Sequence, residues 1–209
     1  MALIRVPFAG LTARQLAQVR AIYEASFRPE ERDPWDDFVA TAADPRCAVV
    51  AGLSEGEVIG FWAAARYEDP NLAYLAYLAV DPERRSQGAG AELFGWFEAA
   101  YADKVEGLFW EVEARDVPGD TPEHHAQTHR RVRFYERLGA AVVPGGRIEV
   151  PNADESGVEV VELLWKPMPG GPSVTDAALR DTLVRALLLM GYELTPDHPL
   201  VRKGLCRPN

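Results

Sequence analysis

A chain of 209 residues is long enough for one cored domain with an appendage and too short for two catalytic domains, because single cores stop growing at roughly 250–300 residues. With 47% hydrophobic and 26% charged residues, the composition is that of a soluble globular chain and excludes disordered or collagen-like architectures. Thirty-two acidic against 22 basic side chains leave a net charge of -10, which repels duplex nucleic acid and anionic membrane. Cys47 and Cys206 lie far apart and outside any C-x-x-C pattern, so neither a disulfide framework nor a cysteine zinc site is expected, and a reducing compartment fits. Residues 1–8 have no long apolar stretch, and no window approaches the roughly 18 apolar residues of a membrane span. The expectation is a cytoplasmic protein that engages neither nucleic acid nor membrane.

Residues 3–6 read as a strand. Thr12-Ala-Arg-Gln15 has the form of a capping box and opens a helix with Leu16, Val19, Tyr23 and Phe27 on one face. Residues 29–37 carry two prolines and the acids Glu30, Glu31, Asp33, Asp36 and Asp37, so an acidic loop, ordinarily a solvated surface, leads into a short helix over 35–42. The apolar runs 47–53 and 58–66 are joined by Ser54-Glu-Gly-Glu57, a hairpin turn between antiparallel strands. Gly52-Leu-Ser-Glu-Gly56 matches G-x-S-x-G, but a nucleophile elbow needs strand, turn and helix, and this serine falls between two strands. Residues 72–80 are too apolar for an exposed edge and read as a central strand buried on both faces.

Asp81-Pro-Glu-Arg-Arg-Ser-Gln-Gly-Ala-Gly90 breaks that strand, and a helix follows with Leu93, Phe94, Phe97, Ala100 and Tyr101 at helical spacing. Residues 108–114 form a further strand, 116–122 a loop, and 123–138 a helix stopped by Gly139. Residues 140–143 and 158–165 read as strands around a polar, glycine-containing connection. Met168-Pro-Gly-Gly-Pro172 punctuates the chain, dividing it into a domain over 1–168 and a linker with a helical extension over 169–209. The extension's helix is expected to be capped near Ser173 or Thr175 and to present Leu179, Leu183, Ala186, Leu187 and Met190 as an apolar stripe, followed by a proline-containing tail. Packing of that stripe on the main domain is the first reading and a homodimer interface the second.

The sharpest chemical feature is the strand, loop and helix over 80–101. Glycines let backbone N–H groups approach a ligand, and a helix N-terminus presents unpaired donors with partial positive charge, so the loop suits phosphate oxygens. A tight turn that needs glycine only for its dihedral freedom is the plain alternative. A Walker loop is excluded because no Gly-Lys-Ser or Gly-Lys-Thr occurs. A dinucleotide fingerprint would need a third glycine where Leu93 stands and a strand opening a βαβ unit, which disfavours a nicotinamide-dependent oxidoreductase.

Ala76-Tyr-Leu-Ala-Val-Asp-Pro-Glu-Arg-Arg-Ser-Gln-Gly-Ala-Gly-Ala91 carries the pattern R/Q-x-x-G-x-G/A, and Phe134-Tyr-Glu-Arg-Leu-Gly139 follows it in order. Together they resemble the GNAT superfamily of acyl-CoA-dependent N-acyltransferases, and the element order over about residues 3–167 is similar as well. The resemblance implies a mixed α/β sheet of the GNAT type followed by the C-terminal helical extension. It implies acetyl-CoA or another acyl-CoA as co-substrate, the diphosphate resting on Arg85, Ser86, Gln87, Gly88, Ala89, Gly90 and Ala91. The pantetheine arm would bond backbone groups of Leu78, Ala79 and Val80, where the family's central strands splay apart. The acetyl group would pass directly to a primary amine of a small molecule or peptide, without a metal. Two departures stand out: Ser86 occupies a position where glycine is frequent, and Asp116 stands where many members place asparagine, with roughly a dozen extra residues before Tyr135. The spacing tolerates the first, and the extra loop bears on the acceptor side more than on the cofactor side.

Arg84 and Arg85 in the loop, with Arg130, Arg131, Arg133 and Arg137 in the later helix, concentrate positive charge in an acidic chain, as the phosphates of coenzyme A would require. A solvated helix face paired with Glu123 and Glu136 is the ordinary alternative. An amine acceptor arrives mostly as ammonium and must lose a proton, whereas the departing thiolate gains one. The resemblance assigns Tyr135 as the acid, with a packed aromatic as the alternative. Glu111 and Glu113 share a strand face, and a carboxylate there is costly to bury unless it meets water, a partner or a polar cleft. Glu111 is the candidate base, acting through water, and a structural ion pair is the alternative. His124, His125 and His129 lie close together, but no third ligand of metal-site spacing is evident, so no metal site is expected. The alternative function is a non-catalytic acyl-CoA-binding or regulatory module.

Overall fold

The computed structural model describes residues 3–154, 156–176 and 178–206. Its strands are β1 (Ile4–Pro7), β2 (Cys47–Ser54), β3 (Glu57–Tyr67), β4 (Leu72–Val80), β5 (Gly107–Glu113), β6 (Ala141–Pro151) and β7 (Val158–Pro167). They hydrogen-bond in the order β1-β2-β3-β4-β5-β7-β6, a mixed sheet with both parallel and antiparallel pairs. The chain divides into two units, Met1–Tyr67 with Leu75–Ala102 and Glu68–Tyr74 with Asp103–Asn209, so β4 changes unit after Tyr74.

In the first unit, β2 runs antiparallel to both β1 and β3. The turn between β2 and β3 places Glu55 at φ 52° and Gly56 at φ 84°, the left-handed pair that a tight hairpin requires. Helix α1 (Ala13–Ser26) opens on the expected capping box: Gln15 N–H donates to Thr12 Oγ1 at 3.4 Å, and Thr12 N–H to Gln15 Oε1 at 3.0 Å. Its buried face, Val19, Ile22 and Tyr23, meets an aromatic cluster that includes Phe61 and Phe38 of helix α2 (Trp35–Thr41). The Tyr23 and Phe38 ring centroids are 4.7 Å apart. Helix α3 (Ala89–Tyr101) buries Leu93, Phe94 and Phe97, each contributing roughly 1.5–3 kcal/mol of hydrophobic stabilisation. Gly60 of β3 stays bare because a Cβ there would meet Leu93 Cδ1 at 2.8 Å and Val80 Cα at 3.1 Å.

In the second unit, Leu72–Tyr74 pair in parallel with Gly107–Phe109, and β7 lies antiparallel to both β5 and β6. Helix α4 (Pro122–Arg137) begins where Thr121 Oγ1 accepts the His124 N–H at 3.2 Å and stops before Gly139 at φ 86°. Among the described residues no helix is long and apolar enough to cross a membrane.

Four expectations are corrected. Strand β4 is central in order but not buried on both faces: Tyr74, Ala76, Tyr77, Leu78 and Val80 are half-buried, since its register with β5 covers only Leu72–Tyr74. Strand β6 runs on to Pro151 where a connection was expected. Its register shifts between Val142 and Arg147, so Pro144-Gly-Gly146 is an irregularity inside the strand, and Ile148 and Val150 alternate inward beyond it. The extension's helix, α5 (Leu179–Arg185), starts at Ala178 without a side-chain cap. Ser173 Oγ instead accepts the Thr175 N–H at 3.3 Å in a preceding turn; Leu179, Leu183, Ala186 and Leu187 are buried, whereas Met190 is 37% exposed. Finally, the tail contains a further helix, α6 (Pro199–Leu205), opened by proline at its first position.

Both extension helices pack on β6, and Arg180 fastens them there. Its Nε donates to Gly145 O at 2.8 Å, Nη1 to Asp181 Oδ1 at 2.8 Å and Nη2 to Gly204 O at 2.5 Å. The charge of this buried arginine is thereby matched by one carboxylate and two carbonyls, as burial demands.

Candidate active site

In the first unit the expected cofactor residues form one continuous turn. Asp81 Oδ1 accepts the Glu83 N–H at 3.0 Å, capping the 3-10 turn Pro82–Arg84. Ser86 at φ 64° and Gly88 at φ 87° then swing the backbone through the left-handed region. A Cβ on Gly88 would meet nothing within 4 Å, so glycine is needed there for its dihedral freedom and not for space. Ser86 takes up the same region despite its side chain, at a conformational cost.

Gly88 is the N-cap of α3 and supplies no capping side chain, which leaves the first N–H groups of the helix directed outward. Glu92 brings a negative charge to the first turn that opposes an anion, and its Oε1 accepts the Leu3 N–H at 3.2 Å. Residues 82–88 are exposed and include Arg84 and Arg85. Open glycine, uncapped donors and two cations together fit a diphosphate. Arg85 is also held back onto the strand: Nε donates to Val80 O at 3.2 Å and Nη2 to Ser26 Oγ at 3.3 Å. The carbonyl of Val80, expected to be open, therefore already accepts one bond. Leu78 and Val80 are half-buried and Ala79 is buried.

In the second unit, Glu111 lies in the middle of β5, opposite Leu163 of β7. Its Oε1 accepts hydrogen bonds from Tyr74 at 2.8 Å and Tyr192 at 3.2 Å. Its Oε2 is shielded and has no hydrogen-bond partner among the described residues. Loss of hydration pushes the Glu111 pKa up to about 7, against the lowering effect of the two phenols and a backbone N–H. Glu113, two residues along, differs: Arg131 Nη1 donates to its Oε2 at 2.8 Å, and His124 Nε2 lies 3.5 Å from its Oε1. The ion-pair alternative thus applies to Glu113.

Tyr135 projects from α4, 7% exposed, with its ring centroid 4.8 Å from that of Trp110. Burial pushes its phenol up to about 12; the Arg131 charge opposes the rise and the Glu111 charge adds to it. Arg131 reaches across to β5. The histidines fasten the long loop before α4. His129 Nε2 lies 3.0 Å from Asp116 Oδ1, His125 Nε2 3.3 Å from Val117 O, and His124 Nε2 3.6 Å from Asp120 Oδ2. Asp116 itself stands at φ 56°. Tyr74 and Tyr192 were not anticipated: Tyr74 sits inside an apolar run, and Tyr192 lies 81 positions from the carboxylate it touches.

Residues 16–140 match the model of the acetyltransferase (GNAT) family, and the chain belongs to that family. No curated protein matches it in sequence. Among solved structures, a protein of Bacteroides thetaiotaomicron described as a GNAT-family acetyltransferase is similar, with a TM-score of 0.67 at 16% identity over 92% of this chain and 99% of that one. The ribosomal-protein-S18-alanine N-acetyltransferase of Escherichia coli gives 0.58 at 19% identity over 83% and 97%. An aminoglycoside 6'-N-acetyltransferase complexed with coenzyme A gives 0.60 at 20% identity over 81% and 99%. At these identities the likeness is one of fold.

Proposed function

We propose that this GNAT protein transfers an acetyl group from acetyl-CoA directly to a primary amine. Acetyl-CoA supplies the acyl group as a thioester and leaves as the thiol. The turn Arg85–Ala91 binds the diphosphate through backbone N–H groups, and the backbone of Leu78, Ala79 and Val80 carries the pantetheine arm. Glu111 takes the ammonium proton through water, which makes the amine a nucleophile. A carboxyl with a pKa near 7 is well matched to that task, being partly ionised at neutral pH yet basic enough to hold the proton. Tyr135, still protonated at neutral pH, offers its O–H to the departing sulfur. The acidic balance of the chain favours cationic acceptors electrostatically.

The observation that carries this reading is the shielded, unpartnered Oε2 of Glu111, a buried acceptor atom awaiting a donor. The coenzyme A complex of the aminoglycoside acetyltransferase, which shares the fold, supports the choice of co-substrate. A screen of acyl-CoAs against small amines and peptides, read by thermal shift and by thiol release, tests it. Stabilisation by acetyl-CoA with thiol release on adding an amine is expected. Stabilisation with no release across the panel would mark a binding module instead.

A further inference from the structure

We propose that Tyr192, from the C-terminal extension, is a positioning residue for Glu111: with Tyr74 it holds Oε1 and so turns Oε2 toward the acceptor amine. This rests on the reading of Glu111 as the base. A carboxylate is planar, so two phenol donors on one oxygen fix the plane and leave the second oxygen to the substrate. Tyr74 reaches Oε1 from β4 at 2.8 Å and Tyr192 from the extension at 3.2 Å. Glu111, Tyr74 and Tyr192 are each half-buried as whole residues, while Oε2 itself is shielded.

The backbone before Tyr192 is built to deliver it. After α5 the helix widens into a π-helical segment, Ala186–Gly191, which ends where the Tyr192 N–H donates to Leu187 O at 2.9 Å. Glu193 follows at φ 52°, an uncommon conformation for a residue with a side chain. Wide helical turns of this kind recur at functional sites. The segment buries Ala186, Leu187 and Leu188, α5 and α6 pack against it, and Arg180 bonds Gly145 and Gly204. The family match ends at residue 140, so the donor comes from outside the matched region.

Among the described residues, the titratable groups that act on Glu111 are Tyr74 on β4, Tyr192 on the extension and Tyr135 on α4. Arg131 and Glu113 nearby pair with each other, and Leu163 faces it from β7. A phenol donor favours the ionised carboxylate, so its removal should raise the carboxyl's titration midpoint.

The test is a 13C NMR titration of the full chain labelled at glutamate side-chain carboxyls, with the Glu111 signal assigned by its loss in Glu111→Gln. Tyr192→Phe should raise the midpoint by about one pH unit, the size expected for losing one hydrogen bond to a charged group. On the acid side, kcat/KM should fall about tenfold to match. Tyr192→Leu, which removes the same donor and less of the ring's packing than a smaller residue would, should shift the midpoint similarly. An unmoved midpoint in both variants, with Tyr74→Phe shifting it, would overturn the proposal. Should Glu111→Gln keep the wild-type rate, the base reading itself fails, and a shift in Tyr192→Phe would then mark a structural bond only.

Discussion

Replacing Glu111 with glutamine removes a proton-binding site while keeping the shape and an acceptor oxygen for Tyr74 and Tyr192. Burial pushes the folded carboxyl up to about 7 from its ordinary 4.5, so in between the folded protein still holds a proton that the unfolded chain has lost. Stability therefore falls as pH rises through that window and levels off above it, where folding carries a poorly hydrated carboxylate. At 1.36 kcal/mol per unit the full penalty is about 3 kcal/mol. The chain carries a net charge of -10 at pH 7 and approaches neutrality in mild acid, where proteins precipitate, so the usable window is about pH 5.5 to about pH 8.5. Within it the wild type should lose about 2 kcal/mol that Glu111→Gln does not lose, or roughly 4–8 °C in Tm for a chain of this length. Urea denaturation of both proteins at the two pH values measures the difference directly. The variant should be the more stable protein at the alkaline end while its turnover is lost. A stability difference that does not change with pH would refute the inference that Glu111 is desolvated and partly protonated.

Tyr135→Phe should keep its affinity for coenzyme A and lose kcat by roughly 10²–10⁴-fold, the usual worth of a positioned proton donor; thiol release alongside calorimetry of coenzyme A binding checks both halves. Gly88→Ala puts a Cβ into open space but at φ 87°, so it should cost only about 1 kcal/mol of stability while weakening coenzyme A binding about tenfold; equilibrium unfolding and titration with the ligand separate the effects. Arg180→Met leaves the carbonyls of Gly145 and Gly204 without their donor and should cost about 3 kcal/mol, with limited proteolysis cutting first within 179–206.

What was legible in the chain was local. The capping box at Thr12, the left-handed hairpin turn at Glu55 and Gly56, and the glycine turn opening α3 each close within a few residues, so local spacing alone predicts them. The continuation of β6 was hidden because Pro144-Gly-Gly146 has the composition of a turn, and only pairing with β7 reveals that the strand resumes at Arg147. The spacing of Glu111 and Glu113 places both on one face, but what distinguishes them comes from elsewhere. Arg131, 18 positions on, pairs with Glu113, whereas the donors to Glu111 are the phenols of Tyr74 and Tyr192, 37 positions before and 81 after. Contacts of that separation are set by topology and packing and leave no periodic trace.

The most direct test of the central claim is amide NMR of the free protein titrated with acetyl-CoA, alongside calorimetry. The account predicts saturable binding in which the backbone N–H signals of Gln87, Gly88, Ala89 and Gly90 move most and shift with the titration of the ligand's phosphates. No measurable heat, or binding that leaves those four amides where they were, would contradict it.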